Sequence, residues 1–150
     1  MSLFKKNTDF HNIDGKILFI NASEHENGTT SRLGQRLFDG KNYTQLNLID
    51  YKIYQLSQKF VDDQFNEILQ AIDEADTIIL GAPIYWHMIS GYAKVFLERL
   101  SRDSNGILPG KKMGVFIHGS NPSDAVDSTK NLMNWFTRVE KLDNLGVLVL

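Results

Sequence analysis

The sequence predicts an α/β fold, a parallel sheet wound with helices on both faces. Three observations predict it. Short apolar runs of strand length recur along the chain, at residues 17–20, 77–80 and 113–118. Runs of this kind are how strands buried on both faces read. Amphipathic helical patterns separate them, which is the alternation of βαβ units. Each run also empties into a loop of hydroxyl, amide or ring side chains just ahead of a helix, at the sheet edge where open α/β folds bind ligands.

In order along the chain, residues 1–14 are mixed and read as a loosely ordered arm, with Leu3, Phe4, Phe10 and Ile13 available to pack. A turn at Asp14-Gly15 precedes the first strand, residues 17–20. The following helix carries Leu33, Leu37 and Phe38 on one face. The second strand, residues 43–48, alternates Tyr43, Gln45 and Asn47 with Thr44, Leu46 and Leu48. After a loop at 49–59, Val61, Phe65, Ile68, Leu69 and Ile72 mark an amphipathic helix, with Asp62 and Asp63 near its positive end. The third strand, residues 77–80, is bounded by Gly81 and Pro83. A loop with three adjacent rings, Tyr85, Trp86 and His87, leads into a helix with Ile89, Ala93, Phe96, Leu97 and Leu100 on one face. That helix ends near Arg102, and Ser104-Asn105-Gly106 and Pro109-Gly110 break the chain. The fourth strand is 113–118. A helix at 125–138 then turns Thr129, Leu132, Met133 and Phe136 to the core, and 146–150 forms the fifth strand. Right-handed crossovers and five strands give the order 2-1-3-4-5.

The chain has 150 residues, a length that suits one domain with a single core. Its formal net charge is −2 and it shows no block of like charge, so nucleic acid is not an expected partner. It contains no cysteine, which excludes disulfides, thiolate catalysis and cysteine metal sites. His11 and His25 stand too far apart in context to point to a metal site. No apolar stretch reaches membrane-spanning or signal-peptide length, so a cytoplasmic location with no membrane partner is the expectation.

Two loops carry the chemistry. The first reads Asn21-Ala22-Ser23-Glu24-His25-Glu26-Asn27-Gly28-Thr29-Thr30-Ser31 and ends where a helix starts. Unsatisfied N–H groups at a helix start carry partial positive charge, and hydroxyls add donors. Together they make a phosphate cradle that needs no lysine. Neither glycine spacing of the nucleotide-binding fingerprints is present. The second loop, Pro83-Ile84-Tyr85-Trp86-His87, places ring-binding groups at the same sheet edge. Gly119, Ser120 and Asn121 reach that edge from the fourth strand.

Together the two loops resemble those of the flavodoxin-like NADPH-dependent FMN reductase family, over about Lys16 to Leu150. The family's first loop usually reads Asn-Gly-Ser-Pro-Arg-x-x-Gly-Asn-Thr, and Asn21, Ser23, Gly28 and Thr30 match in register. Its second loop usually reads Pro-x-Tyr-Trp, matched by Pro83, Tyr85 and Trp86. Lys94 and Glu98-Arg99 fit a lysine and an acid–arginine pair on the next helix. Ala22 stands where glycine is usual and His25 where arginine is usual. Glu24 and Glu26 flank the phosphate position and weaken its positive field.

The resemblance implies a three-layer sandwich with FMN bound and NADPH or NADH as co-substrate. Ser23, His25, Asn27, Thr29, Thr30 and Ser31 would surround the phosphate. Pro83, Ile84, Tyr85, Trp86 and His87, with Gly119, Ser120 and Asn121, would surround the ring. A hydride would pass through FMN to a small-molecule electron acceptor such as a quinone, a flavin or a nitro or azo compound. No catalytic side chain and no metal are then required. His87 and His118 are each open to two readings, as a partner of the flavin edge or of an acceptor carbonyl, or as an ordinary strand-end or surface histidine. The resemblance further implies a homodimer through the helix bearing Lys94. The family's helix after the fifth strand is expected to be absent, which leaves apolar sheet surface for the arm, a partner subunit or further sequence to cover. A flavodoxin-type electron carrier and a binding protein of the same fold remain the alternatives. A phosphoacceptor domain is disfavoured, because the first strand ends Ile20-Asn21 and the third ends Leu80-Gly81 without the acids such a site needs.

Overall fold

The computed structural model of the chain describes residues 9–11 and 13–150. Its elements follow in the order β1 (Ile17–Asn21), α1 (Thr29–Leu37), β2 (Tyr43–Asn47), α2 (Phe65–Asp73), β3 (Thr77–Tyr85), β4 (Met88–Ile89), α3 (Gly91–Asp103), β5 (Lys112–His118), α4 (Ser123–Glu140) and β6 (Asp143–Val149). The sheet runs β2-β1-β3-β5-β6, all parallel, and β4 pairs antiparallel with the end of β3. The five parallel strands are the expected ones. The expected order 2-1-3-4-5 differs in that β4 intervenes in the chain, so the fourth and fifth parallel strands are β5 and β6.

β1 is buried along its whole length and β3 through Pro83, which is why both read as apolar runs. On one face α2, α3 and α4 cover Leu18, Ile20, Ile78, Leu80, Val115 and Ile117 with Phe65, Ile68, Phe96, Leu100 and Met133. On the other, Phe19, Ile79, Phe116 and Leu148 pack with Phe38 at the end of α1. The Phe19 ring lies 5.7 Å from that of Phe38 and 5.6 Å from that of Phe116. A Cβ on Gly34 would overlap the Phe19 ring, so this glycine lets α1 approach β1 closely. Phe10, 6% exposed, joins the same cluster, with Ile13 packed beside it. A Cβ on Gly114 would come within 2.7 Å of Phe10 Cε1, so the sheet makes room for that ring. Residues of the arm thus cover part of the face that α1 leaves open. Leu3 and Phe4 lie outside the described residues.

Four boundaries differ from the sequence-based expectation. The third strand continues through Gly81 and Pro83 to Tyr85. β1 stops opposite Gly81, so Pro83 lies where β3 has lost one neighbour and its missing N–H breaks no ladder bond. Ile89 belongs to β4, not to the helix, and Ser90 caps α3 by accepting from the Ala93 N–H at 3.2 Å. Val61 is fully exposed and outside α2, which begins at Phe65, where Asp63 Oδ1 accepts the Phe65 N–H at 3.0 Å. β6 begins at Asp143. A bulge opposite Met113 and Gly114 sets its register, with Gly146 in the left-handed region at φ 94°.

Candidate functional site

The first loop is wound around a buried amide. Asn21 Oδ1 accepts the Ser23 N–H at 3.1 Å, and its Nδ2 donates to the His25 carbonyl at 3.1 Å and to Asn47 Oδ1 at 3.0 Å. Asn47 reaches it because β2 pairs with β1 in the register Asn21 to Asn47. Ser23 Oγ, also buried, accepts the His25 N–H at 3.1 Å. Gly28 caps α1 with no side-chain hydrogen bond, and the first intrahelical bond runs from Arg32 N–H to the Gly28 carbonyl at 3.1 Å. The N–H groups of Thr29, Thr30 and Ser31 therefore stand ahead of the helical ladder as donors for an anion.

The side chains expected around the phosphate divide into two groups. His25, Asn27 and Thr29 are exposed. Ser31 is buried, its Oγ accepting from Gln45 Nε2 at 2.8 Å and from Gln35 Nε2 at 3.2 Å. Thr30 is buried as well, with Oγ1 2.6 Å from His118 Nε2 at the end of β5. Burial holds the His118 pKa below its ordinary value. A threonine hydroxyl has one proton, so Thr30 can serve either His118 or a phosphate as donor, not both. Thr30→Val should destabilise the flavin-free chain by about 1–3 kcal/mol in urea unfolding, because His118 loses its partner. An unchanged FMN dissociation constant in the same variant would remove this hydroxyl from the phosphate's donors.

Arg32 is a charged neighbour of the first loop that the loop motif does not reveal. It is exposed and donates from Nη1 to the Asn27 carbonyl at 3.2 Å, which sets a guanidinium beside the loop. Its position three residues after Thr29 on the exposed helix face was the available signal. Against it stand Glu24, Glu26 and Asp50. Hydrogen bonding to Asp50 and repulsion from it push the Glu26 carboxyl above its ordinary range.

The second loop is a hairpin. Tyr85 pairs with Met88, leaving Trp86 and His87 as a two-residue turn at φ 49° and 65°. Two positive φ values define the hairpin turn that normally takes asparagine and glycine. A tryptophan and a histidine held there are strained, and such strain collects at functional sites. Trp86 is 93% exposed, so its ring is not core. His87 Nδ1 lies 2.6 Å from Asp124 Oδ2 in the first turn of α4. Asn121 Nδ2 approaches the same carboxylate oxygen at 3.4 Å, and Ser123 Oγ donates to Asn121 Oδ1 at 2.9 Å. Gly119 and Ser120 are exposed, and a Cβ on Gly119 would lie 3.3 Å from Ile84 Cβ. Ser90 Oγ donates to the Ala22 carbonyl at 2.7 Å, which fastens the start of α3 to the first loop. A cavity of about 350 Å³ opens beside Tyr85, lined by Leu48, Tyr51, Ile53, Tyr92 and Val95.

Side-chain bonds thus tie the loops after β1, β3 and β5 together at one sheet edge, with an uncapped helix start at one end and exposed rings at the other. This arrangement defines a class: an open α/β protein whose loops gather at the sheet edge where such folds bind their ligands. The chain belongs to the NADPH-dependent FMN reductase family, whose sequence profile matches residues 15–145. It is 27% identical over 95 residues to YwqN of Bacillus subtilis (strain 168), a candidate NAD(P)H-dependent FMN-containing oxidoreductase. That match takes in 58% of this chain and 52% of YwqN, so it spans about half the length of this curated relative.

Solved structures share the fold. The Trp repressor binding protein from Bacillus subtilis superposes with a TM-score of 0.71 at 21% identity, covering 89% of this chain and 84% of its own. The apo form of the NADH:FMN oxidoreductase EMOB gives 0.65 at 21% identity, with 89% and 75% covered. An FMN-dependent NADH-azoreductase from Bacillus anthracis str. Ames Ancestor, solved with FMN, gives 0.61 at 14% identity, with 90% and 86% covered. FMN is the family's cofactor and NAD(P)H its co-substrate. The residues here fit FMN: the α1 start offers backbone donors ahead of the helical ladder, and Arg32 adds positive charge beside them.

Proposed function

We propose that this chain is an FMN-dependent NAD(P)H oxidoreductase. It passes a hydride from the nicotinamide through bound FMN to a small acceptor such as a quinone, a flavin or a nitro or azo compound. It does so as one flavodoxin-like FMN-binding domain, in the cytoplasm and as a homodimer. FMN supplies the redox chemistry when bound, and the protein supplies binding, orientation and electrostatics.

The observation that carries this reading is the mutual fastening of the three loops, through Thr30 to His118 and Ser90 to Ala22. The N–H groups of Thr29 to Ser31 would hold the phosphate, with Ser23 and the Asn21 amide keeping the loop in shape. The hairpin from Pro83 to His87 would flank the ring on one side, and Gly119, Ser120 and Asn121 on the other. Preorganised donors of this kind stabilise charge where it develops. Among the described residues no helix is long and apolar enough to cross a membrane.

A dimer seam on α3 would use its exposed side. Phe96 is fully buried and Arg99 nearly so, and neither can face a partner. Tyr92 on α3 is an exposed large side chain that would suit substitution in a test of such a seam.

Heat release and chromatography of the bound flavin test the cofactor assignment. FMN is expected, since the site offers one phosphate-sized cradle. Mostly FAD, or a chain that takes up no flavin when titrated with FMN, contradicts it.

A further inference from the structure

Binding a flavin and handing on a hydride do not require the contact between His87 and Asp124. The turn that presents His87 is strained at φ 65°, and its side chain is 70% exposed, so the pair adds little to stability. Its geometry is that of an oriented acid–base group. Asp124 Oδ2 meets Nδ1 at 2.6 Å, and Asn121 Nδ2 steadies the carboxylate at 3.4 Å. Nε2 makes no hydrogen bond to a described residue. A carboxylate on one ring nitrogen settles which nitrogen keeps its proton and leaves the other to exchange one. Nε2 is carried on the same turn as the exposed Trp86 ring, next to Tyr85.

We propose that His87 is a catalytic proton donor to the acceptor and that Asp124 is its positioning residue. The acceptor class this favours is one whose two-electron reduction consumes a proton, a quinone in the first instance. The proposal rests on the flavoenzyme reading above.

The step balances. NAD(P)H is oxidised to NAD(P)+, and its hydride, delivered by way of FMN, supplies the quinone with two electrons and one hydrogen. The second hydrogen comes as a proton: the Nε2–H bond of the His87 imidazolium breaks and an O–H bond forms on the quinone oxygen. The neutral imidazole keeps its Nδ1–H on Asp124 and regains the Nε2 proton from water.

The test compares 1,4-benzoquinone with ferricyanide, which takes single electrons and no proton. The variants are His87→Asn and Asp124→Asn. Asparagine tolerates the left-handed turn and keeps a polar group near Nδ1, so the hairpin should survive. The ratio of quinone to ferricyanide rates should fall roughly a hundredfold in His87→Asn, the lower range for a lost general acid, and in the same direction in Asp124→Asn. A second readout needs no flavin. Nitrogen NMR of the flavin-free chain should find the neutral His87 ring protonated at Nδ1, and Asp124→Asn should lose that preference.

An unchanged ratio in both variants, with FMN bound and ferricyanide reduced, overturns the proton-donor role and leaves the flavoenzyme reading standing. So does a neutral ring protonated at Nε2 in the parent. A parent chain that binds no FMN and oxidises no NADPH overturns the flavoenzyme reading, and this proposal with it.

Discussion

Arg99→Met should lower the unfolding free energy by about 3–5 kcal/mol, the range for removing one partner of a buried ion pair. The Arg99 side chain is only 8% exposed. It donates from Nη1 to Asp63 Oδ2 at 2.7 Å, from Nη2 to Asp63 Oδ1 at 3.0 Å and from Nε to Asp103 Oδ2 at 2.8 Å. Nη1 also reaches the Tyr54 carbonyl at 2.8 Å, and the guanidinium lies 4.7 Å from the centre of the Phe65 ring. One side chain therefore fastens the segment from Tyr54 to Asp63 onto α3. That segment follows the residues that line the cavity beside Tyr85, so its loosening should reach the site as well. Adding Asp63→Asn to Arg99→Met should recover part of the loss, because the half-buried Asp63 carboxylate is then no longer left without its partner. Urea unfolding of the three chains checks this.

The same pair gives a pH dependence. Hydrogen bonding to Arg99 lowers the Asp63 pKa to about 2 from an ordinary 3.8. Because the folded value is the lower one, this carboxylate's contribution to stability is complete above about pH 4. It is lost as the pH falls through about 2. Arg99→Met should flatten that acid limb.

Ser90→Ala should cost about 2–3 kcal/mol, the sum of a lost helix cap and a buried carbonyl left without its donor. Ser90 is fully buried, accepts the Ala93 N–H at the start of α3 and donates to the Ala22 carbonyl at 2.7 Å. Its backbone N–H also donates to the Pro83 carbonyl at 3.0 Å. It thus joins the first loop, the end of β3 and α3 at one point. The variant should lose thermal stability and also bind FMN more weakly, since the first loop is freed on the side of Ala22. Equal losses with and without FMN would limit Ser90 to a capping role.

Strands were legible wherever burial on both faces forced an apolar run, as at β1, the start of β3 and β5. The rest of β3 was not, because Gly81 and Pro83 carry the signals of a break. Only the end of β1 opposite Gly81 explains why a proline is tolerated there. The hairpin that follows was hidden for a related reason, since Trp86 and His87 occupy a turn whose usual residues are asparagine and glycine. In the first loop, residue types pointed to the cradle, but the direction of each hydroxyl depends on strands far away in sequence. Ser31 turns to Gln45 of β2 and Thr30 to His118 of β5. Arg99 was legible as a neighbour of Glu98. Its actual partners are Asp63 and Asp103, while Glu98 pairs at the surface with Lys94 at 3.7 Å.

If this edge holds FMN, NAD(P)H should reduce it there. The direct measurement is the visible absorption of the purified, FMN-loaded chain titrated with NADPH and with NADH in the absence of oxygen. At least one nucleotide should bleach the flavin band in equimolar proportion, and a quinone added afterwards should restore it. A flavin band that neither nucleotide bleaches would exclude NAD(P)H reduction of this flavin and favour a carrier or binding role for the same fold.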